Sequence, residues 1–243
     1  MNRLIKRVDA PDAWFLKRGT TAEELQAVLT GARLLEARRI GKLLLLDTDA
    51  GPTLGLRFGM TGKLVVDGHA AIERLEYSSR RDDSRWDRFA LRFEDGGELV
   101  LKDPRRLGGV SLDPPTDRLG PDAWMAKPAQ LRRALVGSGT PLKARLLDQS
   151  RLAGLGNLIT DELLWRAGLD PARPVGSLTG AEIRRLHRHL KATLDELAER
   201  GGSHTGRLQA ARVRGSVCPK DGTPLQRRTI GGRTTYSCAH HQH

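Results

Sequence analysis

The segment TPLKARLLDQSRLAGLGNLITDELLWRAG, Thr140–Gly168, reads as two short helices joined by a glycine-punctuated turn. Thr140 is placed to cap the first helix, and Pro141 suits its first turn, where a missing N–H costs nothing. Leu142, Leu146 and Leu147 supply an apolar stripe, and Gly154-Leu155-Gly156-Asn157 breaks the helical period. Asn157 opens a second helix with Ile159, Leu163 and Ala167 at helical spacing, and Gly168 ends it. Two glycines ahead of a helix N-terminus leave backbone N–H groups uncovered at the positive end of the helix dipole, which attracts phosphate. Gly156 belongs to that turn, and Lys143 and Asn157 are placed to clamp the same anion. The plainer alternative is an αα-hairpin whose glycines only turn the chain.

Composition favours the anion site. Lys and Arg total 41 against 29 Asp and Glu, a net charge of +12 over 243 residues, which points to a polyanionic partner. The charge is also concentrated. From His204 onward, Arg207, Arg212, Arg214, Lys220, Arg227, Arg228 and Arg233 face one acid, Asp221. The length and a hydrophobic content of 38% suit two domains with ordinary cores. With no apolar run of membrane-spanning length and no signal-peptide core, the expectation is a cytoplasmic, nucleoid-associated monomer with no membrane partner. Two cysteines, both in the basic tail, fit metal ligation better than a disulfide framework.

The fold class expected is α+β and multidomain. Residues 1–113 read as a β-sandwich: Lys42–Thr48 is a buried strand, and Leu54–Phe58 and Lys63–Val66 flank the turn Gly59-Met60-Thr61-Gly62. Arg88–Glu94 and Glu98–Asp103 are joined by the hairpin residues Asp95-Gly96-Gly97, and Thr21–Leu29 reads as a short helix. Asp113-Pro114-Pro115 leads into a linker, 114–128. A helical domain, 129–204, follows, with helices at Ala129–Leu135, in the pair above, and at Thr179–Arg200. The last carries Ile183, Leu186, Leu190, Leu194 and Leu197 on one face, with His187 and His189 read as solvent-facing.

Residues 205–243 read as a zinc-ribbon-like hairpin, with strands Leu225–Thr229 and Thr234–Ser237 and Gly231-Gly232 at the tip. Cys218 and Asp221, and Cys238 and His241, form two pairs of identical spacing across it. Zinc accepts carboxylate and imidazole as well as thiolate, so one zinc ion is the expected cofactor, with His240 and His243 as spare ligands. A metal-free hairpin held by packing is the alternative, yet so small a unit has almost no apolar core. Arg233, just past the tip, suits a bidentate phosphate contact.

This order of domains resembles the formamidopyrimidine-DNA glycosylase and endonuclease VIII family of base-excision repair enzymes. The matching stretches are RRIGKLLLLD at Arg38–Asp47, LRFGMTGKL at Leu56–Leu64, KDPRRLGG at Lys102–Gly109, LGPDAW at Leu119–Trp124, the helical run Leu146–Pro174 and GGRTTYSC at Gly231–Cys238. The resemblance implies a helix–two-turn–helix module and duplex DNA with a damaged base or abasic site as partner. It makes Lys143 and Asn157 the phosphate clamp, Arg233 the finger arginine and Lys42 a phosphate contact near the active site. Met60, Arg105 and Leu107 fall where the family inserts side chains into the base stack. Eversion costs a few kcal/mol of unstacking, which such wedges offset. The third wedge is usually aromatic; Leu107 fills volume but stacks poorly.

The family reaction uses an N-terminal proline and the following glutamate. The proline amine attacks the sugar C1′ to form a Schiff base, and the carboxylate shuttles protons before elimination nicks the strand. This chain begins Met1-Asn2-Arg3-Leu4-Ile5, matches the family only after that motif and its first helix, and has its first proline at Pro11. Either an upstream Pro-Glu segment belongs to the natural protein, or the chain binds lesions without cutting. A phosphate contact would keep Lys42 protonated and unfit as a substitute nucleophile. Between Gly202 and Leu208 only Ser203–Arg207 stand where the purine-oxidation enzymes carry a long closing loop. Oxidised pyrimidines, ring-opened purines or abasic sites are therefore expected before 8-oxoguanine. An RNA-binding helix–two-turn–helix protein is the remaining reading, against which the wedge residues and the PRR stretch argue.

Overall fold

Apolar runs and turn signals build eight strands in the first unit of the computed structural model, which describes residues 2–72, 83–137 and 139–243 and divides into Met1–Asp117 and Arg118–His243. The elements are β1 (Ile5–Asp9), α1 (Ala22–Leu29), β2 (Leu34–Ile40), β3 (Leu43–Thr48), β4 (Thr53–Arg57), β5 (Lys63–Val66), β6 (Asp87–Phe93), β7 (Glu98–Lys102) and β8 (Gly109–Leu112). They pair antiparallel into two four-stranded sheets, β1-β6-β7-β5 and β2-β3-β4-β8. Ile5, Phe89, Leu91 and Leu101 from one sheet share a core with Leu46, Leu54, Leu56 and Val110 from the other, the inward alternation of a sandwich. Each of these side chains contributes roughly 1.5–3 kcal/mol by leaving water. Helix α1 adds Leu25 and Leu29 to that core and starts at a capping box in which Thr21 and Glu24 bond each other's backbone N–H.

The second unit holds α2 (Pro128–Ala134), α3 (Leu142–Leu147), α4 (Asn157–Ala167), α5 (Gly180–Glu199) and the hairpin β9 (Gln226–Ile230) and β10 (Arg233–Ser237). Pro141, and not Thr140, takes the N-cap position of α3, one residue later than expected. Helix α4 opens at Asn157 after its N-cap Gly156 and is closed by Gly168 at its C-cap, as the glycine spacing predicts. Helix α5 is closed by a Thr179–Glu182 capping box and buries Leu186, Leu190 and Leu197. Among the described residues, no helix is long and apolar enough to cross a membrane.

Three expectations change. Residues 118–126 do not form a free linker: Gly120 N–H donates to Gln149 O, Ala123 N–H to Ala153 O, and Trp124 Nε1 to Asp195 Oδ1, which ties them to the helical unit. The terminal hairpin is likewise part of that unit and not a separate domain, because Trp165 of α4 packs with Leu208, Ala211, Cys218 and Cys238. His187 and His189 are half-buried. His187 Nε2 lies 2.8 Å from the Ala126 carbonyl, and burial followed by the neighbouring cations pushes the His189 imidazole below its ordinary value.

Candidate nucleic-acid interface and metal centre

Strand register gathers three of the expected residues of the first unit. Leu43 of β3 pairs with Arg57 of β4, which pairs with Gly109 of β8. One residue beyond that row lie Lys42, Phe58 and Gly108, so Lys42, the Met60 turn and the Leu107 loop share one end of the sheet. Lys42 is exposed there. Gly59 has φ +58°, and a Cβ on it would fall 2.6 Å from the Leu107 carbonyl carbon, so only glycine lets the two loops touch. Met60 is 51% exposed and Leu107 44%, which rules out ordinary core packing for either.

The loop that presents Arg105 and Leu107 is organised from below. Asp103, fully buried, accepts from Thr61 Oγ1, from Arg105 N–H at 3.1 Å and from Gly108 N–H at 2.8 Å. Arg106 adopts a left-handed backbone and turns its guanidinium to Asp12, which leaves Arg105 and Leu107 exposed on either side of it. Sequence reasoning quoted Asp103 and Arg106 inside KDPRRLGG and assigned neither a role. An aspartate followed by a proline turn was the available signal.

In the second unit, Gly156 takes an extended conformation (φ −111°, ψ 174°), and no side chain caps α4. Asn157 Nδ2 donates to the Thr234 carbonyl at 3.2 Å, beside Arg233, while its buried Oδ1 has no partner among the described residues. Gln149 stitches the turn, accepting from Gly154 N–H and donating to the Leu147 and Leu155 carbonyls. Gly231 at the hairpin tip (φ +58°) sits where a Cβ would come within 2.9 Å of Ala144 Cβ, so the tip packs on α3 and Arg233 stays exposed.

Lys143 is not where a surface phosphate clamp would be. Its side chain is fully buried, with Nζ 2.6 Å from Asp161 Oδ1, 2.8 Å from Thr235 Oγ1 and 3.1 Å from the Thr234 carbonyl. Burial pulls its ammonium below the ordinary lysine value, and Asp161 opposes that pull. Asp161 also pairs with Arg212 and accepts the Tyr236 N–H at 3.2 Å. Lys143 therefore anchors the hairpin to α4 and has no charge left to offer a ligand at the surface. Nothing local in the sequence distinguishes the two roles, because the partners Thr234 and Thr235 lie 91 and 92 residues away.

Cys218, Asp221, Cys238 and His241 place one donor atom each within 4.8 Å of one another, while His240 and His243 stay outside the group. Both cysteines are buried, and burial pushes the Cys238 thiol up. The Thr223 N–H, ahead of the His241 contact, holds Asp221 well below the usual carboxylate range. Trp165 Nε1 donates to Cys218 Sγ at 3.2 Å. His241 Nε2 lies 3.2 Å from the Trp165 carbonyl, so an Nε2–H tautomer turns Nδ1 inward, 2.8 Å from Asp221 Oδ2. Two thiols, a carboxylate and an imidazole with an oriented outer contact form a donor set that can hold a tetrahedral cation.

Comparison with known proteins agrees with this geometry. The family model for the formamidopyrimidine-DNA glycosylase N-terminal domain matches residues 1–110, and that for the formamidopyrimidine-DNA glycosylase H2TH domain matches 119–208. The formamidopyrimidine-DNA glycosylase of Paracoccus denitrificans is 34% identical over 267 aligned positions, covering 97% of this chain and 91% of the relative. That of Thermus thermophilus is 38% identical over 239, covering 87% and 83%. Among solved structures, Lactococcus lactis Fpg in complex with DNA containing Fapy-dG superposes with a TM-score of 0.80 at 26% identity, covering 99% of this chain and 93% of that one. The same enzyme bound to AP-site DNA gives 0.80 at 25%, covering 99% and 92%. Sheet topology, the two-helix turn and both family models agree, and the chain belongs to the formamidopyrimidine-DNA glycosylase family.

Proposed function

We propose that this protein binds double-stranded DNA at a damaged base or abasic site and serves base-excision repair, either with the glycosylase and AP-lyase chemistry of its family or as a lesion binder that does not cut. The observation that carries the reading is the junction at one end of the sandwich, where Lys42, Met60 and Leu107 converge and both apolar side chains stand exposed on pinned loops. Exposed apolar wedges beside cations serve a duplex that is opened: the cations hold backbone phosphate, and the wedges fill the gap an everted nucleotide leaves. In the helical unit, the uncapped start of α4, Gly156, Asn157 and Arg233 offer N–H donors and a guanidinium to phosphate. Relatives solved with Fapy-dG and AP-site DNA support the same ligand class.

Cys218, Asp221, Cys238 and His241 would hold a zinc ion, whose contribution is to close a hairpin with little apolar core of its own. The short connection at Ser203–Arg207, followed by the Leu208 N–H bonded to Glu162, supports abasic sites, oxidised pyrimidines or ring-opened purines as substrates.

The test is a titration of the full chain, at fixed salt, with an abasic duplex, the matched intact duplex and a hairpin RNA. Preference for the abasic duplex is expected; preference for the RNA overturns the assignment. Borohydride trapping on the abasic duplex then separates the two forms of the reading. A covalent adduct identifies lyase chemistry, and tight binding without an adduct identifies a lesion binder that does not cut.

A further inference from the structure

The loops carrying Met60, between β4 and β5, and Leu107, between β7 and β8, each cross from one sheet to the other, and one carboxylate joins them. Asp103 accepts from the Thr61 hydroxyl across the gap and from two N–H groups of its own loop, Arg105 and Gly108. Its backbone is held as well: its N–H donates to the Trp86 carbonyl, and its carbonyl accepts from Arg88 Nε at 2.8 Å. Gly59 packs directly on Leu107, and the Gly62 N–H closes the turn onto the Phe58 carbonyl at 2.7 Å. A second aspartate, Asp12, draws in Arg106 and lies 3.5 Å from Arg88.

We propose that Asp103 is a specificity-determining positioning residue: its buried carboxylate locks the Met60 turn to the Arg105–Leu107 loop, so both wedges meet the duplex as one preformed unit. The inference rests on the functional reading above. Ordering free backbone costs conformational entropy, so two independent loops would draw that cost from insertion energy. A prelocked pair meets it during folding. Contact with an intact duplex needs no insertion and is indifferent to the lock. Lesion discrimination, the ratio of abasic-duplex to intact-duplex affinity, depends on it.

The decisive variant is Thr61→Val, which keeps side-chain shape and removes only the cross-loop hydroxyl. Discrimination is expected to fall about fivefold, the size of one ordinary hydrogen bond, with intact-duplex affinity near wild type. Thr61→Ser restores the hydroxyl and is expected to recover the ratio. Asp103→Asn aims an amide N–H₂ at either the Gly108 N–H or the Arg105 N–H, and is expected to lose tenfold or more if it folds. A 2-aminopurine beside the abasic position reports insertion separately from affinity; its fluorescence change is expected to shrink in Thr61→Val. An unchanged ratio and unchanged 2-aminopurine signal in Thr61→Val overturn the lock while leaving the functional reading intact. A wild-type chain with no preference for the abasic duplex overturns both.

Discussion

In each unit of this protein an aspartate is buried close to the candidate DNA-facing residues, and the two are satisfied in opposite ways. Asp103 in the sandwich takes a hydroxyl and two backbone N–H groups, two of its three donors coming from the next five residues. Asp161 in the helical unit takes Lys143, Arg212 and the Tyr236 N–H, from three separate segments. A carboxylate held by neutral donors organises the loops it touches and strands no charge when it is lost. One that holds two buried cations joins α3, α4, the 203–212 connection and the hairpin, and its loss strands two charges. The sandwich meanwhile has a large aliphatic core, whereas the hairpin end shares a small cluster around Trp165. Burial stabilises the first region; the second rests on the ion pairs around Asp161 and, under the proposal above, on metal ligation.

The sharpest test of that contrast is Asp161→Ala. Uncompensated Lys143 and Arg212 should lower stability by about 3–5 kcal/mol, read from chemical denaturation of the full chain. A cost comparable to that of Thr61→Val would erase the contrast. Zinc removal comes next. Metal analysis should find about one zinc per chain, and zinc at a hundredfold excess over its Kd should add about 2.7 kcal/mol relative to chelated protein. Cys238→Ser should abolish that response; a melting temperature indifferent to chelator would leave the hairpin held by packing alone.

Gly231→Ala should cost roughly 1–2 kcal/mol, because alanine disfavours the left-handed backbone and its Cβ crowds Ala144. If duplex affinity falls with it, the hairpin tip and the helical turn act together; if only the melting temperature moves, Arg233 finds phosphate without that seat. The smallest effect belongs to a surface pair. Arg173, followed by the Thr179 donors, holds Glu182 down to about 2 against the upward pull of burial, below an ordinary 4.5. A depressed carboxyl contributes stability above its unfolded value and loses it as pH falls from about 4.5 to about 2. The advantage of wild type over Glu182→Gln, followed by thermal melts, should be constant at neutral pH and vanish across that window.

Much of the scaffold was legible. Strands β3, β6 and β7 announce themselves as apolar runs, and α5 as a long stripe behind a Thr-x-x-Glu box. Strands β1, β2 and β8 were not read, because Lys6, Arg7, Glu36, Arg38 and Arg39 interrupt the first two and β8 is only four residues long. The family resemblance made Met60 a candidate wedge, and its exposure fits a methionine in a glycine turn that has no core to enter. Lys143 was expected at the surface because a lysine in the first turn of a helix looks the same whether its ammonium meets solvent or a buried carboxylate.

The candidate wedge positions came with the family resemblance; local chemistry alone determined the β-then-α order of the chain, the two-helix turn opened by Gly156 and Asn157, and the two equally spaced pairs of candidate metal ligands. These depend on backbone conformation, spacing and hydrophobic period, which neighbouring residues impose on one another. Tertiary structure decided where the charges go. Helix α4 presents Asp161 and Glu162 on what reads as its polar face, and both are buried because the hairpin and the 203–212 connection cover that face. A charge enters a protein interior only when its partners arrive with it. Those partners are tens of residues away, so no local pattern could separate Lys143, which holds the hairpin in place, from Arg233, which the hairpin holds out to solvent.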